Sequence, residues 1–138
     1  MKKFKINSLD HVAIRVKDLE VSAAWYEEVF GFTRNQFKEW GAFPIFMLAG
    51  KTAIALFPAN ENDQGINPKS QNVKIDHFAF NVTRENFELA RKNYEMLGIK
   101  YEIQNHHYFE SIYVNDPDEH TVELTTILVD EEEFYSDY

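Results

Sequence analysis

From Leu9 to Val16 the chain alternates, with His11, Ala13 and Arg15 on one side of an extended segment and Val12, Ile14 and Val16 on the other. A period of two predicts a half-buried strand over about residues 8–16. The pattern then changes to that of a helix. Leu19, Ala23, Tyr26 and Phe30 recur at steps of four, three and four, behind Asp18 as a candidate N-cap. The same sequence of events occurs again downstream. His77, Ala79 and Asn81 oppose Phe78, Phe80 and Val82, and Phe87, Ala90, Tyr94 and Leu97 follow at helical steps behind Thr83. Gly31 and Gly98 stand where a left-handed C′ glycine ends each helix. Further strand-like runs cover about 32–40, 43–49 and 52–58, then about 99–105, 109–115 and 120–127. A polar loop bounded by Pro58 and Pro68 separates the two sets. Each half therefore reads β-α-β-β-β, an α+β chain with one helix over each curved sheet.

The halves are copies. Leu9-Asp10-His11-Val12-Ala13-Ile14-Arg15-Val16 returns, 66 residues later, as Ile75-Asp76-His77-Phe78-Ala79-Phe80-Asn81-Val82. A repeat of this length means two equivalent supersecondary units. Each copy carries its histidine on the face opposite the large apolar side chains. That is how a metal site is built from residues far apart in sequence. A chain of 138 residues fits one domain, with module one at about 6–58, module two at about 73–127 and an acidic tail at 128–138.

Composition narrows the function classes. Lys and Arg number 14 against 23 Asp and Glu, a net charge of −9, which repels nucleic acid and anionic membranes. No apolar run is long enough to span a bilayer. The basic start Met1-Lys2-Lys3-Phe4-Lys5 lacks the apolar stretch of a signal peptide, so the chain is expected in the cytoplasm. Cysteine is absent, which removes disulfides, thiolate ligands and cysteine nucleophiles. Asp130-Glu131-Glu132-Glu133 reads as a solvated, fraying tail.

Near the end, Asp116-Pro117-Asp118 is a turn signal, followed by a strand in which Val122 and Leu124 face one way and Thr121, Glu123 and Thr125 the other. A carboxylate in a central apolar strand is costly to bury unless paired or metal-bound. If Glu123 shares the face of His11 and His77, the three make a two-histidine, one-carboxylate set. Such a set leaves coordination positions open and accepts Fe, Mn, Zn, Ni or Co. His106 and His107 lie in a polar hairpin and His120 in a turn. Trp40, Phe43, Phe46, Phe57, Tyr108 and Phe109 are candidates for a pocket wall or for core.

Taken in order, the opening Leu9 to Glu20 with Trp25-Tyr26, the repeat, and Asp116-Pro117-Asp118 before Val122-Glu123-Leu124 resemble the vicinal oxygen chelate superfamily. That superfamily includes glyoxalase I, ring-cleaving extradiol dioxygenases, fosfomycin resistance thiol transferases and methylmalonyl-CoA epimerase. The resemblance spans about 6–127. It implies two β-α-β-β-β modules forming a cup-shaped mixed sheet with helices outside, a glyoxalase-like fold that is often a homodimer. It also implies a divalent metal on His11, His77 and Glu123 and a small-molecule substrate that chelates the metal through oxygen.

Within the superfamily the residues separate the activities. Ala55 aligns with Glu123, where families resembling glyoxalase I or the epimerase carry a carboxylate, and alanine can neither ligate nor abstract a proton. Fosfomycin enzymes have Thr two residues after the first histidine; here it is Ala13, and acidic residues follow Glu123. The ring-cleaving dioxygenases resemble His-x5-aliphatic-Tyr-x2-Asp-Pro-x-Gly-x3-Glu. His106, Ile112, Tyr113, Asp116, Pro117 and Glu123 match it, with Glu119 in place of glycine. That reading makes Tyr113 and one of His106 or His107 the catalytic groups, facing the metal from a neighbouring strand. Glyoxalase-type lyase or isomerase, thiol transferase, and non-catalytic drug sequestration are the alternatives.

Overall fold

The computed structural model describes residues 1–135. Residues 136–138, the end of the acidic tail, lie outside the described residues. The chain divides within the polar loop into two compact units, Met1–Asp63 and a second beginning at Gln64.

In the first unit, β1 (His11–Val16) leads into α1 (Leu19–Phe30), then β2 (Thr33–Asn35), a single 3-10 turn at Lys38–Trp40, β3 (Ile45–Ala49) and β4 (Thr52–Pro58). The strands lie in the order β1-β4-β3-β2, an open four-stranded sheet. β1 runs parallel to β4, with His11 opposite Ala53 and Ala13 opposite Ala55, and the other pairings are antiparallel. Asp18 caps α1 by accepting from the amides of Glu20 and Val21. Gly31, at φ 66°, ends the helix as its amide donates to Glu27 O and that of Phe32 to Tyr26 O. α1 covers β2, β3 and β4. Tyr26, Val29, Ile14, Val16, Met47, Ile54 and Leu56 form the core beneath it. Arg34 on β2 clamps Glu20 of α1 with two contacts of 2.6 Å.

The second unit repeats the plan with β5 (Phe78–Asn81), α2 (Arg84–Leu97), β6 (Glu102–Asn105), β7 (Phe109–Asn115) and β8 (Thr121–Ile127), followed by the short α3 (Glu131–Phe134). Its sheet order is β5-β8-β7-β6. Thr83 caps α2 through the Asn86 amide, and Gly98 closes it at φ 69°. Phe87, Tyr94, Ile112, Val114, Val122 and Leu124 are its core. The α+β class and the β-α-β-β-β order are thus as expected.

Several strands start later or end sooner than the sequence pattern suggests, and two of them show why. The run 32–40 is strand only over Thr33–Asn35. Gln36 Nε2 donates to the carbonyls of Gly41 and Ala42, and Phe37 packs edge-on against Trp40, folding the rest into a turn. β6 starts at Glu102 and not at 99, because the Ile99 amide is engaged by Tyr94 O in the α2 C-cap. No helix among the described residues is long and apolar enough to cross a membrane.

Candidate metal centre

β8 is a central strand of the second sheet, and its register sets the neighbours of Glu123. Ala79 of β5 lies opposite it on one side and Tyr113 of β7 on the other. His77 stands one residue before β5, whose alternation leaves Phe78 and Phe80 half-buried and Ala79 and Asn81 exposed. Glu123 is only 4% exposed, and its Oε2 lies 3.0 Å from His77 Nε2. The other ring nitrogen, Nδ1, is 2.7 Å from Asp76 Oδ2. An ionised carboxylate only accepts hydrogen bonds. Nδ1 therefore carries a proton and donates to Asp76, and this bond holds the Asp76 carboxyl below its ordinary range. Nε2 faces the second carboxylate, so both ring nitrogens of His77 lie against carboxylate oxygens.

Tyr113 completes this face. Its ring meets His77 edge-on at 5.6 Å, and its hydroxyl is 3.0 Å from His106 Nε2. Burial, and then the Glu123 charge, raise the Tyr113 hydroxyl above the ordinary phenol range. Beneath it, buried Ser111 donates to Thr125 across the β7–β8 pair.

The first unit has the same frame with different contents. His11 Nδ1 is 2.7 Å from Asp10 Oδ2, so the imidazole is held as in the second copy. The position matching Glu123 is Ala55, opposite Ala13, and the position matching Tyr113 is Phe46, opposite Ala55. Phe46 lies 5.1 Å from the His11 ring and packs at a tilt against Trp40. Arg15 lies over Phe57 and donates to Pro58 O at 3.0 Å.

A family model described as the glyoxalase/bleomycin resistance protein/dioxygenase superfamily matches residues 8–124. The chain belongs to this superfamily. It is 30% identical over 119 residues to glutathione transferase FosA of Serratia marcescens, covering 86% of this chain and 80% of that protein. Among solved structures, a glyoxalase/dioxygenase from Nostoc punctiforme superposes with a TM-score of 0.76 at 18% identity, over 94% of this chain and 99% of the other. The fosfomycin resistance protein FosX of Mesorhizobium loti gives a TM-score of 0.65 at 25% identity, over 94% and 98%.

Among the residues that superfamily resemblance singles out, the second unit brings together His77, Glu123, Tyr113 and His106. His11 stands in the first unit with Asp10, and no three His, Asp or Glu side chains form a metal-binding group among the described residues. Within the second unit, His77 Nε2 and Glu123 Oε2 are a pair of donors suited to a metal. Two ligands about 2.1 Å from one ion are about 3.0 Å apart at a right angle and about 3.4 Å apart at a tetrahedral one, so their 3.0 Å separation suits a shared cation. His107 does not join them. It sits at φ 73° in the hairpin bend with its ring edge-on to Tyr108. His120 belongs to the turn, its amide donating to Asp116 Oδ1. Glu119, where the dioxygenase signature has glycine, adopts φ 70°. The turn keeps the left-handed shape that glycine would supply, at a cost of about 1–2 kcal/mol. Sequence reasoning passed over Asp10 and Asp76. The signal was available, because the Asp-His pair is identical in both copies.

Proposed function

We propose that this chain is a divalent-metal-dependent enzyme acting on a small substrate that presents two neighbouring oxygens, with His11, His77 and Glu123 as the protein ligands and Fe, Mn, Zn, Ni or Co as the metal. The observation that carries this reading is the buried Glu123 carboxylate facing His77 Nε2 at 3.0 Å. A buried carboxylate in an apolar strand calls for a cationic partner, and a half-exposed imidazole beside it supplies the second donor. When bound, the ion contributes Lewis-acid stabilisation of negative charge on substrate oxygens.

The chain's own groups supply the proton handling. The Tyr113 hydroxyl, raised above the ordinary phenol range, stays protonated at neutral pH and donates a hydrogen bond to a substrate oxygen. His106, in contact with that hydroxyl at 3.0 Å, orients it toward the substrate oxygen. Together with the His106-to-Glu123 spacing, this favours a ring-cleaving dioxygenase. The similarity to glutathione transferase FosA favours a second reading, transfer of a thiol to a small oxygenated electrophile. Against it, Ala13 occupies the position of the threonine that resemblance leads one to expect. Resemblance also supports a homodimer, which light scattering checks directly.

The test begins with metal analysis of protein purified without chelator, where about one equivalent per chain is expected. Iron-loaded protein is then assayed for oxygen uptake with catechols, and manganese-loaded protein for thiol consumption with epoxides. On the dioxygenase reading, Tyr113→Phe slows oxygen uptake by about 10²-fold or more while metal content stays at parent level. Oxygen uptake absent with every catechol, alongside measurable thiol consumption, would replace the first reading by the second. Protein that takes up no divalent metal would end both.

A further inference from the structure

We propose that Asp10 and Asp76 are positioning residues: each carboxylate holds its neighbouring imidazole with a proton on Nδ1 and so presents Nε2 to the metal. The inference rests on the metal reading above and adds to it the groups that aim the ligands.

Three observations support it. The same atom pair, Nδ1 and Oδ2, occurs at 2.7 Å in both units. The surroundings of the two histidines are otherwise different, with Ala55 and Phe46 around His11 and Glu123 and Tyr113 around His77. What the two sites retain in common is the Asp-His pair itself. Finally, neither carboxylate does the work of a structural residue. Their side chains are 83% and 73% exposed, and neither caps a helix or fills a core. Asp10 does help anchor β1 to β4, but through its backbone carbonyl, which accepts from the Ala53 amide and Thr52 Oγ1. Any residue would supply that carbonyl.

The chemistry follows from the hydrogen-bond inventory. A neutral imidazole has one donor nitrogen and one lone-pair nitrogen, and a free ring exchanges the two. An acceptor fixed at Nδ1 selects the form whose lone pair is on Nε2, restricts ring rotation and makes the ligand more basic. Loss of such an outer partner typically lowers metal affinity about 10–100-fold.

The experiment uses Zn²⁺ alone as the probe, with the full chain. Zinc affinity is measured by competition with a chromophoric chelator for the parent, Asp10→Ala, Asp76→Ala, Asp76→Asn and His77→Ala. Histidine side-chain ¹⁵N shifts are recorded for the zinc-loaded proteins. Expected are a 10–100-fold loss of affinity in each alanine variant, an unchanged melting temperature without metal, and a loss within about tenfold in Asp76→Asn, whose amide oxygen still accepts from Nδ1. The parent spectrum should show Nδ1 protonated and Nε2 metal-bound, with that signature lost or mixed at the affected ring in the alanine variants. Alanine variants that bind zinc like the parent, while His77→Ala does not, would overturn the positioning role and leave the metal site standing. A His77→Ala protein that binds like the parent would remove the metal reading, and this inference with it.

Discussion

His77→Ala isolates what the buried carboxylate depends on. In the parent, Glu123 has a side chain 5% exposed and meets a ring that is 37% exposed. A hydrogen bond to a charged group is worth about 1.5–3 kcal/mol. Because His77 is more than a third exposed, solvent screening reduces this, and Tyr113 remains beside Glu123 as a second polar neighbour. We expect a loss of about 1–2 kcal/mol in metal-free protein. An unfolding entropy of about 2.1 cal/mol/K per residue makes that about 3–7 °C in Tm for a chain of this length. The assay is thermal unfolding in chelator, for the parent, His77→Ala and His77→Ala/Glu123→Gln. The double variant should regain most of the loss, since a neutral amide is cheaper to leave beside an empty position. Zinc at about a hundred times its Kd should then add about 2.7 kcal/mol to the parent and nothing to either variant. A His77→Ala protein that melts with the parent in chelator, and is still stabilised by zinc, would refute the reasoning at both steps.

Two further outcomes follow from the same structure. Glu119→Gly should raise stability by up to about 1 kcal/mol by relieving the left-handed backbone at φ 70°, as read by denaturant titration; a destabilised variant would mean that the Asn115–Glu119 hydrogen bond of 3.1 Å outweighs it. Burial raises the Tyr94 hydroxyl far above its ordinary value of 10.0, so the unfolded chain releases this proton first and stability falls as pH rises past about 10. Tyr94→Phe should flatten that alkaline decline in pH-dependent unfolding, and an unchanged slope would show that other groups produce it.

Much of the architecture was legible because it rests on local rules. The caps at Asp18 and Thr83 and the left-handed Gly31 and Gly98 follow from chain chemistry alone, and two-residue alternation put His77, Tyr113 and Glu123 on one face. The turn at Lys38–Trp40 was not legible, since a run of aromatic and polar residues suits a strand until Gln36 engages the carbonyls of Gly41 and Ala42. Between His106 and His107, sequence offered no choice. The hairpin bend turns one ring toward Tyr113 and the other toward Tyr108. The carboxylates at Asp10 and Asp76 were in plain view but had no role until atom positions placed them against Nδ1.

On the metal reading proposed above, the matched registers of the two halves make the number of protein ligands a property that one substitution changes. Ala55 stands to Ala13 as Glu123 stands to Ala79, so the two positions are equivalent addresses on duplicated scaffolds, one filled with a donor and the other blank. Ala55→Glu would place a carboxylate on the first unit at the register position that Glu123 holds in the second, and Glu123→Ala would leave both positions blank. On that reading, a duplicated fold with such addresses changes its ligand count by point substitutions on a frame that is laid down twice.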